Sequence, residues 1–341
     1  MKKRGWFLLI IYILTLSVCA VLIYLVPGVL GLRNTTYVAE FGEIEVANEV
    51  DAYVFRDDYV YTADVAGDVN RLVEAGTLVK GNSRVVELTG EGNAEISENY
   101  TEILKALAKD ISPATEGVTE KSGYVSYVID GKEDVFTPGN ISNVNKILAE
   151  SIEDYSMTET PADKCAKGEP IFRVSNNGDW HILFWVGNEF ADRYVEGGTV
   201  KLVAGDNSLD GVIEVVKSGS EITRIELRTD MYDPYLLNNR KVSVKVVSSE
   251  ASGVILRSSS IIEKDGKKGV LVKDKIGDNH FKPVYVEADN GTEAAVYSEY
   301  FMDSNMEFVE TVKTYDEIVI APTEEEIAAA VDVNDKYKNS N

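Results

Sequence analysis

The sequence predicts a mainly β protein: an N-terminal transmembrane helix, then β modules of short antiparallel strands with a short helical insert. Three observations predict it. Trp6 to Leu32 is an apolar run without a single charge. Past Arg33, short β-rich runs alternate with Gly, Asn and Asp turns and show no βαβ alternation. Only two segments place apolar residues at helical spacing, so helices interrupt the frame rather than make it. At 341 residues the chain has the length for two or three modules with cores of their own.

The anchor comes first. About 20 apolar residues cross a bilayer core, so residues 6–32 span it with some tilt. Lys2, Lys3 and Arg4 precede the run, which puts the N-terminus in the cytoplasm and the bulk of the chain outside. A cleaved signal peptide is the competing reading, but the run is longer than the usual 7–15 residues of such a segment and no A-x-A site follows it. Leu16-Ser17-Val18-Cys19 resembles a lipoprotein box only weakly, because Val18 is too large for its position.

Strands are expected at Tyr59–Ala63, Arg84–Leu88, Trp180–Val186, Thr199–Val203, Val242–Val247 and Gly269–Val272. Asp265-Gly266 and Asn290-Gly291 are signals for tight hairpins. One helix is expected over Ser97 to Ile111, with Tyr100, Ile103, Leu104, Leu107 and Ile111 as its apolar stripe. A second is expected over Ile141 to Asp154, with Ile141, Val144, Ile147, Leu148 and Ile152. The tail Thr323–Asn341 reads as a short helix followed by a disordered acidic stretch.

An internal echo organises the middle of the chain. Gly67-Asp68-Val69-Asn70-Arg71 runs through Gly76-Thr77-Leu78-Val79-Lys80-Gly81 to Val85-Val86-Glu87-Leu88. Its partner opens at Gly123-Tyr124-Val125-Ser126-Tyr127-Val128-Ile129-Asp130-Gly131 and resumes at Lys167-Gly168-Glu169-Pro170-Ile171-Phe172-Arg173-Val174. In each, glycines punctuate alternating strands, and the expected role of Gly67, Gly76, Gly81, Gly123, Gly131 and Gly168 is to turn the chain. Neither strand pair can bury its apolar face alone, so the two halves are expected to close on each other as one flattened barrel.

This pattern resembles the two lipoyl-like half-motifs of the haemolysin-D-type membrane fusion proteins, also called periplasmic adaptor subunits. The resemblance implies residues 64–90 and 122–175 as the halves of a lipoyl-like barrel and 91–121 as a short helical insert. It implies a β-barrel domain over 176–250, a membrane-proximal β domain over 251–322, and strands over 33–63 that join those C-terminal domains. The expected function is a non-catalytic extracytoplasmic adaptor of an export or efflux system. Its expected partners are an inner-membrane transporter and further copies of itself; the alternative is an envelope scaffold that reuses the fold without transport. The family's members that reach an outer-membrane channel carry long helical hairpins. Ser97 to Ile111 extends only roughly 20 Å at the helical rise, which weighs against such docking. Covalent carriers of lipoyl or biotinyl groups hold a lysine at the hairpin tip, whereas Glu87-Leu88-Thr89-Gly90-Glu91 has none, so no cofactor is expected.

Other functions are excluded or unsupported. A net charge of −23 argues against nucleic acid, whose phosphates need a basic surface. There is no G-x-S-x-G elbow and no phosphate-binding G-x-x-x-x-G-K-[ST] loop. His181 and His280 are far apart in sequence and Cys19 and Cys165 are the only cysteines, so no metal site is expected. Carboxylates are too numerous for any pair to be singled out as acid and base.

Overall fold

The computed structural model describes residues 12, 15–17, 36–90, 95–107, 111–152, 155, 157–205 and 207–334. The expected anchor at 6–32, Cys19 and the end of the tail at 335–341 lie almost wholly outside the described residues. Among the described residues no helix is long and apolar enough to cross a membrane. The chain divides into two compact units, Ala47–Ser249 and Met1–Val46 with Glu250–Asn341.

In the 47–249 unit the two halves of the echo pair directly. One sheet runs Leu78–Val79, Gly123–Ser126, Pro170–Ser175, Asp58–Ala63 and Ile111–Ala114; a second runs Lys164–Cys165, Gly67–Arg71 and Val86–Thr89. Gly123 sits opposite Val79, and Cys165 opposite Gly67. The alternating residues of both halves share one core: Val69, Val79, Val85 and Val86 from the first, Val125, Tyr127, Cys165, Ile171, Phe172 and Val174 from the second. Asp58–Ala63, expected with the C-terminal strands, lies at the heart of this sheet, where Tyr61 stacks on Phe172 at 4.7 Å. The strand expected over Arg84–Leu88 is split at Val85, which is fully buried.

The β-barrel of the same unit orders its strands Thr199–Ala204, Asn207–Ser218, Ile222–Thr229, Trp180–Gly187, then the 47–55 part of Glu40–Phe55 and the 241–249 part of Lys241–Arg257. Thr199–Ala204 pairs back onto Lys241–Arg257, Leu202 opposite Val246, and so closes the barrel. Strict alternation in Ile222–Thr229 sends Ile225 and Leu227 inward with Trp180, Phe184 and Val244.

Both helical expectations need correction. The first helix covers Glu98–Ala106, and Ile111 belongs to a strand that pairs parallel with Asp58–Ala63. Its stripe nevertheless packs as one cluster with Val60 and Ile129, so the insert lies against its own domain. The second segment is a 3₁₀ turn at Pro138–Asn143 and a short helix at Lys146–Ser151. Asn145 divides them, because its side chain accepts the Leu148 amide as an N-cap and starts the helix afresh. The stripe is thereby broken: Ile141 and Val144 are buried, while Ile147 is 81% exposed.

In the other unit, Thr36–Val38, Glu317–Val319, Lys267–Lys273, Asn279–Pro283 and Val331–Asp332 form one sheet. Asp265 and Gly266, at φ of 51° and 74°, make the two-residue turn that pairs Lys264 with Lys267. The tail is more ordered than expected. Thr323 and Glu326 form a capping box for Glu324–Ala329, Ile327 and Ala330 pack on Leu271 and Phe281, and Val331–Asp332 joins the sheet.

Candidate functional site: a buried ionic joint and an exposed aromatic hairpin

Two features stand out, one in each unit. The first lies where the lipoyl-like and β-barrel domains meet inside the 47–249 unit. Arg56 follows the barrel strand Glu40–Phe55, Asp58 opens Asp58–Ala63 and Arg173 lies within Pro170–Ser175 of the lipoyl-like domain, Asp130 and Glu133 come from the turn after Val128–Ile129, and Arg240 immediately precedes Lys241–Arg257. All six side chains are sealed from solvent. Arg240 bridges the domains, with Nη2 3.0 Å from Asp58 Oδ2 and Nε 3.0 Å from Asp130 Oδ2. Arg56 Nε pairs with Asp58 Oδ1 at 3.0 Å, and its Nη1 donates to the Leu236 carbonyl at 2.8 Å. Arg173 Nη2 donates to the Leu237 carbonyl at 2.6 Å and lies near Asp58 and Glu133 at 3.7 and 3.8 Å. Ser175 Oγ donates to Asp58.

Electrostatics separates the three carboxyls. Burial alone would raise Asp58, but Arg173, Arg56 and Arg240 outweigh it and hold it at about 2. Asp130 is likewise driven down, against burial, by Arg240. Glu133 has no such close partner; burial first, then the charge of Asp130, pushes it up to about 7. Three guanidiniums thus meet two firmly ionised carboxylates and one that titrates near neutrality. With no access for a substrate, the arrangement fixes domain geometry rather than doing chemistry.

The second feature is a hairpin of Tyr300–Met302 and Phe308–Glu310. Asp303 Oδ1 accepts the Asn305 and Glu307 amides at 2.9 Å each and so shapes its turn. Tyr300, Met302, Met306 and Phe308 are exposed, Met306 and Phe308 by 76% each. Tyr285 and Tyr297 lie alongside, their rings 5.4 Å apart. So many exposed large apolar side chains in one place mark a binding surface.

The glycines singled out from sequence have two different settings. Gly76, Gly131 and Gly168 hold positive φ of 82°, 71° and 89°. Gly67, Gly81 and Gly123 are at ordinary φ, and a Cβ there would meet the carbonyls of Thr89, Glu120 and Ser175 at 2.6, 2.7 and 2.0 Å. Lys80 and Lys167 are exposed. His181 Nδ1 lies 3.2 Å from Glu214, and His280 Nε2 3.0 Å from Asp274. Among the described residues no His, Cys, Asp and Glu group could hold a metal ion. Sequence reasoning missed the ionic joint, since a charged residue in a strand reads as solvent-facing. The exposed hairpin was readable only as a run, Tyr300-Phe301-Met302, of unassigned face.

Comparison with protein-family models matches residues 58–176 to an RND-related barrel-sandwich hybrid domain and residues 180–250 to an RND-related β-barrel domain. Together they cover more than half of the chain. Among solved structures, MacA from Actinobacillus actinomycetemcomitans is similar over 84% of this chain and 100% of its own, at 12% identity and a TM-score of 0.36. ZneB from Cupriavidus metallidurans is similar over 85% of this chain and 92% of its own, at 12% identity and a TM-score of 0.25. The membrane fusion protein Spr0693 from Streptococcus pneumoniae R6 is similar over 58% of this chain and 98% of its own, at 10% identity and a TM-score of 0.26. No curated protein matches the chain. The chain belongs to the RND-related proteins in which a barrel-sandwich hybrid domain is followed directly by a β-barrel domain.

Proposed function

We propose that this chain is the non-catalytic extracytoplasmic adaptor of an inner-membrane export or efflux transporter, anchored by residues 6–32 with its N-terminus in the cytoplasm. Several copies surround the transporter in a closed ring of head-to-tail contacts and shape its exit path. The observation that carries the reading is the exposed hairpin in a chain of this family. Tyr300, Met302, Met306 and Phe308 offer an adaptable apolar surface, flanked along the chain by Glu299, Asp303 and Glu307, and by Glu310 paired with Lys313 at 3.3 Å. An acidic flank is repelled by anionic lipid and suits a protein partner with basic residues around an apolar patch. The short insert, packed on its own domain, supports a system without a long reach to an outer channel.

Purification of the full-length protein in mild detergent after crosslinking tests this. A polytopic transporter is expected to co-purify, and Met306→Asp with Phe308→Asp is expected to abolish its recovery while leaving the melting temperature unchanged. Failure to recover any transporter with folded, abundant protein would count against the adaptor reading, as would equal recovery by the double variant.

A further inference from the structure

A cleft in the 47–249 unit has the makings of a ligand site that the adaptor reading neither uses nor requires. It is an open groove of about 720 Å³ on the outer face of the β-barrel. Pairing across three strands sets Trp185 opposite Arg224 and Arg224 opposite Lys217, one row on that outer face. Val215 and Ile222 lie beside the row, and Ile147 of the Lys146–Ser151 helix forms the facing wall with Lys146. An outward sheet face in water is ordinarily polar; this one carries Val215 and Ile222 beside an indole that packs at one edge on Tyr53.

The charges in it are as unusual as the apolar walls. The chain carries −23 overall, yet the cleft is lined by Lys146, Lys217 and Arg224 against Glu226 alone. Arg224 is fully engaged, with Nε 2.7 Å from Glu226 and its other nitrogens donating to the Val144 and Ile141 carbonyls. Lys146 has only Glu150 at 3.7 Å, both well exposed. Lys217 is exposed directly across from Arg224, whose own charge Glu226 balances. An anion placed between Lys217 and Lys146 meets two exposed ammonium groups, and an apolar body attached to it covers Ile147, Trp185, Val215 and Ile222.

We propose that this cleft binds an amphiphilic anion, a single carboxylate-like head on an acyl chain, with Lys217 and Lys146 holding the head and Trp185 the chain. The test uses the full-length protein in phosphatidylcholine nanodiscs, titrated with decanoate and corrected against empty nanodiscs. Saturable binding at one site per chain is expected, with a shift in tryptophan emission that Trp185→Phe removes. Lys217→Glu, an exposed substitution, is expected to weaken binding about tenfold, and neutral decanol to bind at least that much more weakly than decanoate. Absence of saturable binding overturns the proposal. So does equal affinity for decanol, equal affinity of the Lys217→Glu protein, or occupancy by an acidic amphipathic peptide where decanoate fails, which would give the cleft to a protein partner.

Discussion

Asp58, Asp130 and Glu133 bring the same functional group into one buried cluster and are driven in opposite directions. Asp58 and Asp130 sit within 3.0 Å of guanidinium nitrogens, whereas Glu133 has Arg173 at 3.8 Å and the ionised Asp130 as a neighbour. The sign of the consequence follows from linkage. A carboxyl raised on folding stabilises the fold fully below its ordinary value of 4.5, and that contribution is lost as pH rises through about 7. The two aspartates act the other way: their contribution is present above 3.8 and lost as pH falls, toward about 2 for Asp58, with Asp130 lowered in the same direction. The unfolding free energy measured with urea is therefore expected to fall between about pH 5 and pH 8, by an amount on the order of 2–3 kcal/mol. Glu133→Gln, which keeps a neutral side chain, is expected to flatten that slope; a slope unchanged in the variant would show that Glu133 does not titrate there. None of this was legible beforehand. Arg240 reaches Asp130 and Asp58 across 110 and 182 residues of chain, and no local pattern reports so distant a pairing.

Among the elements, the glycine-punctuated strands and the helical segments show how far local pattern reaches. Apolar runs and turn glycines marked the strands of both halves, and their apolar residues meet in one core, where Pro170–Ser175 is buried at every position rather than on one face. The glycines were readable as necessary, but not for which reason. Gly123 is needed for space, since a Cβ would stand 2.0 Å from the Ser175 carbonyl; Gly76 is needed for its φ of 82°. Gly123→Ala is accordingly expected to cost about 2–4 kcal/mol, through overpacking and loss of strand pairing. Gly139→Ala, with nothing within 4 Å of the new carbon, is expected to be neutral within about 0.5 kcal/mol. Comparable losses in denaturant unfolding for the two variants would refute the close-approach argument. The 141–154 segment misled because a periodic stripe does not register a cap in its middle: Asn145 ends one turn and begins the next.

At the scale of the whole molecule, net charge rather than any single site governs behaviour in solution. A sequence pI near 4.5 places the solubility minimum close to that pH, where self-repulsion vanishes. Light scattering of the dilute protein at low salt is expected to peak near pH 4.5, and anionic vesicles are not expected to bind the acidic surface at pH 7. Strong recruitment to such vesicles would contradict the view of an acidic surface held off lipid. The sequence by itself determined the β class and the pairing of the two halves. Each of those rests on periodicity and turn chemistry within short stretches, which the chain carries wherever it goes. Tertiary structure alone decided the ionic joint, the cleft row Trp185–Arg224–Lys217 and the exposure of the hairpin. Those depend on strand register and on which face finds a neighbour, and both are settled only when segments far apart in the chain compete for the same buried surface.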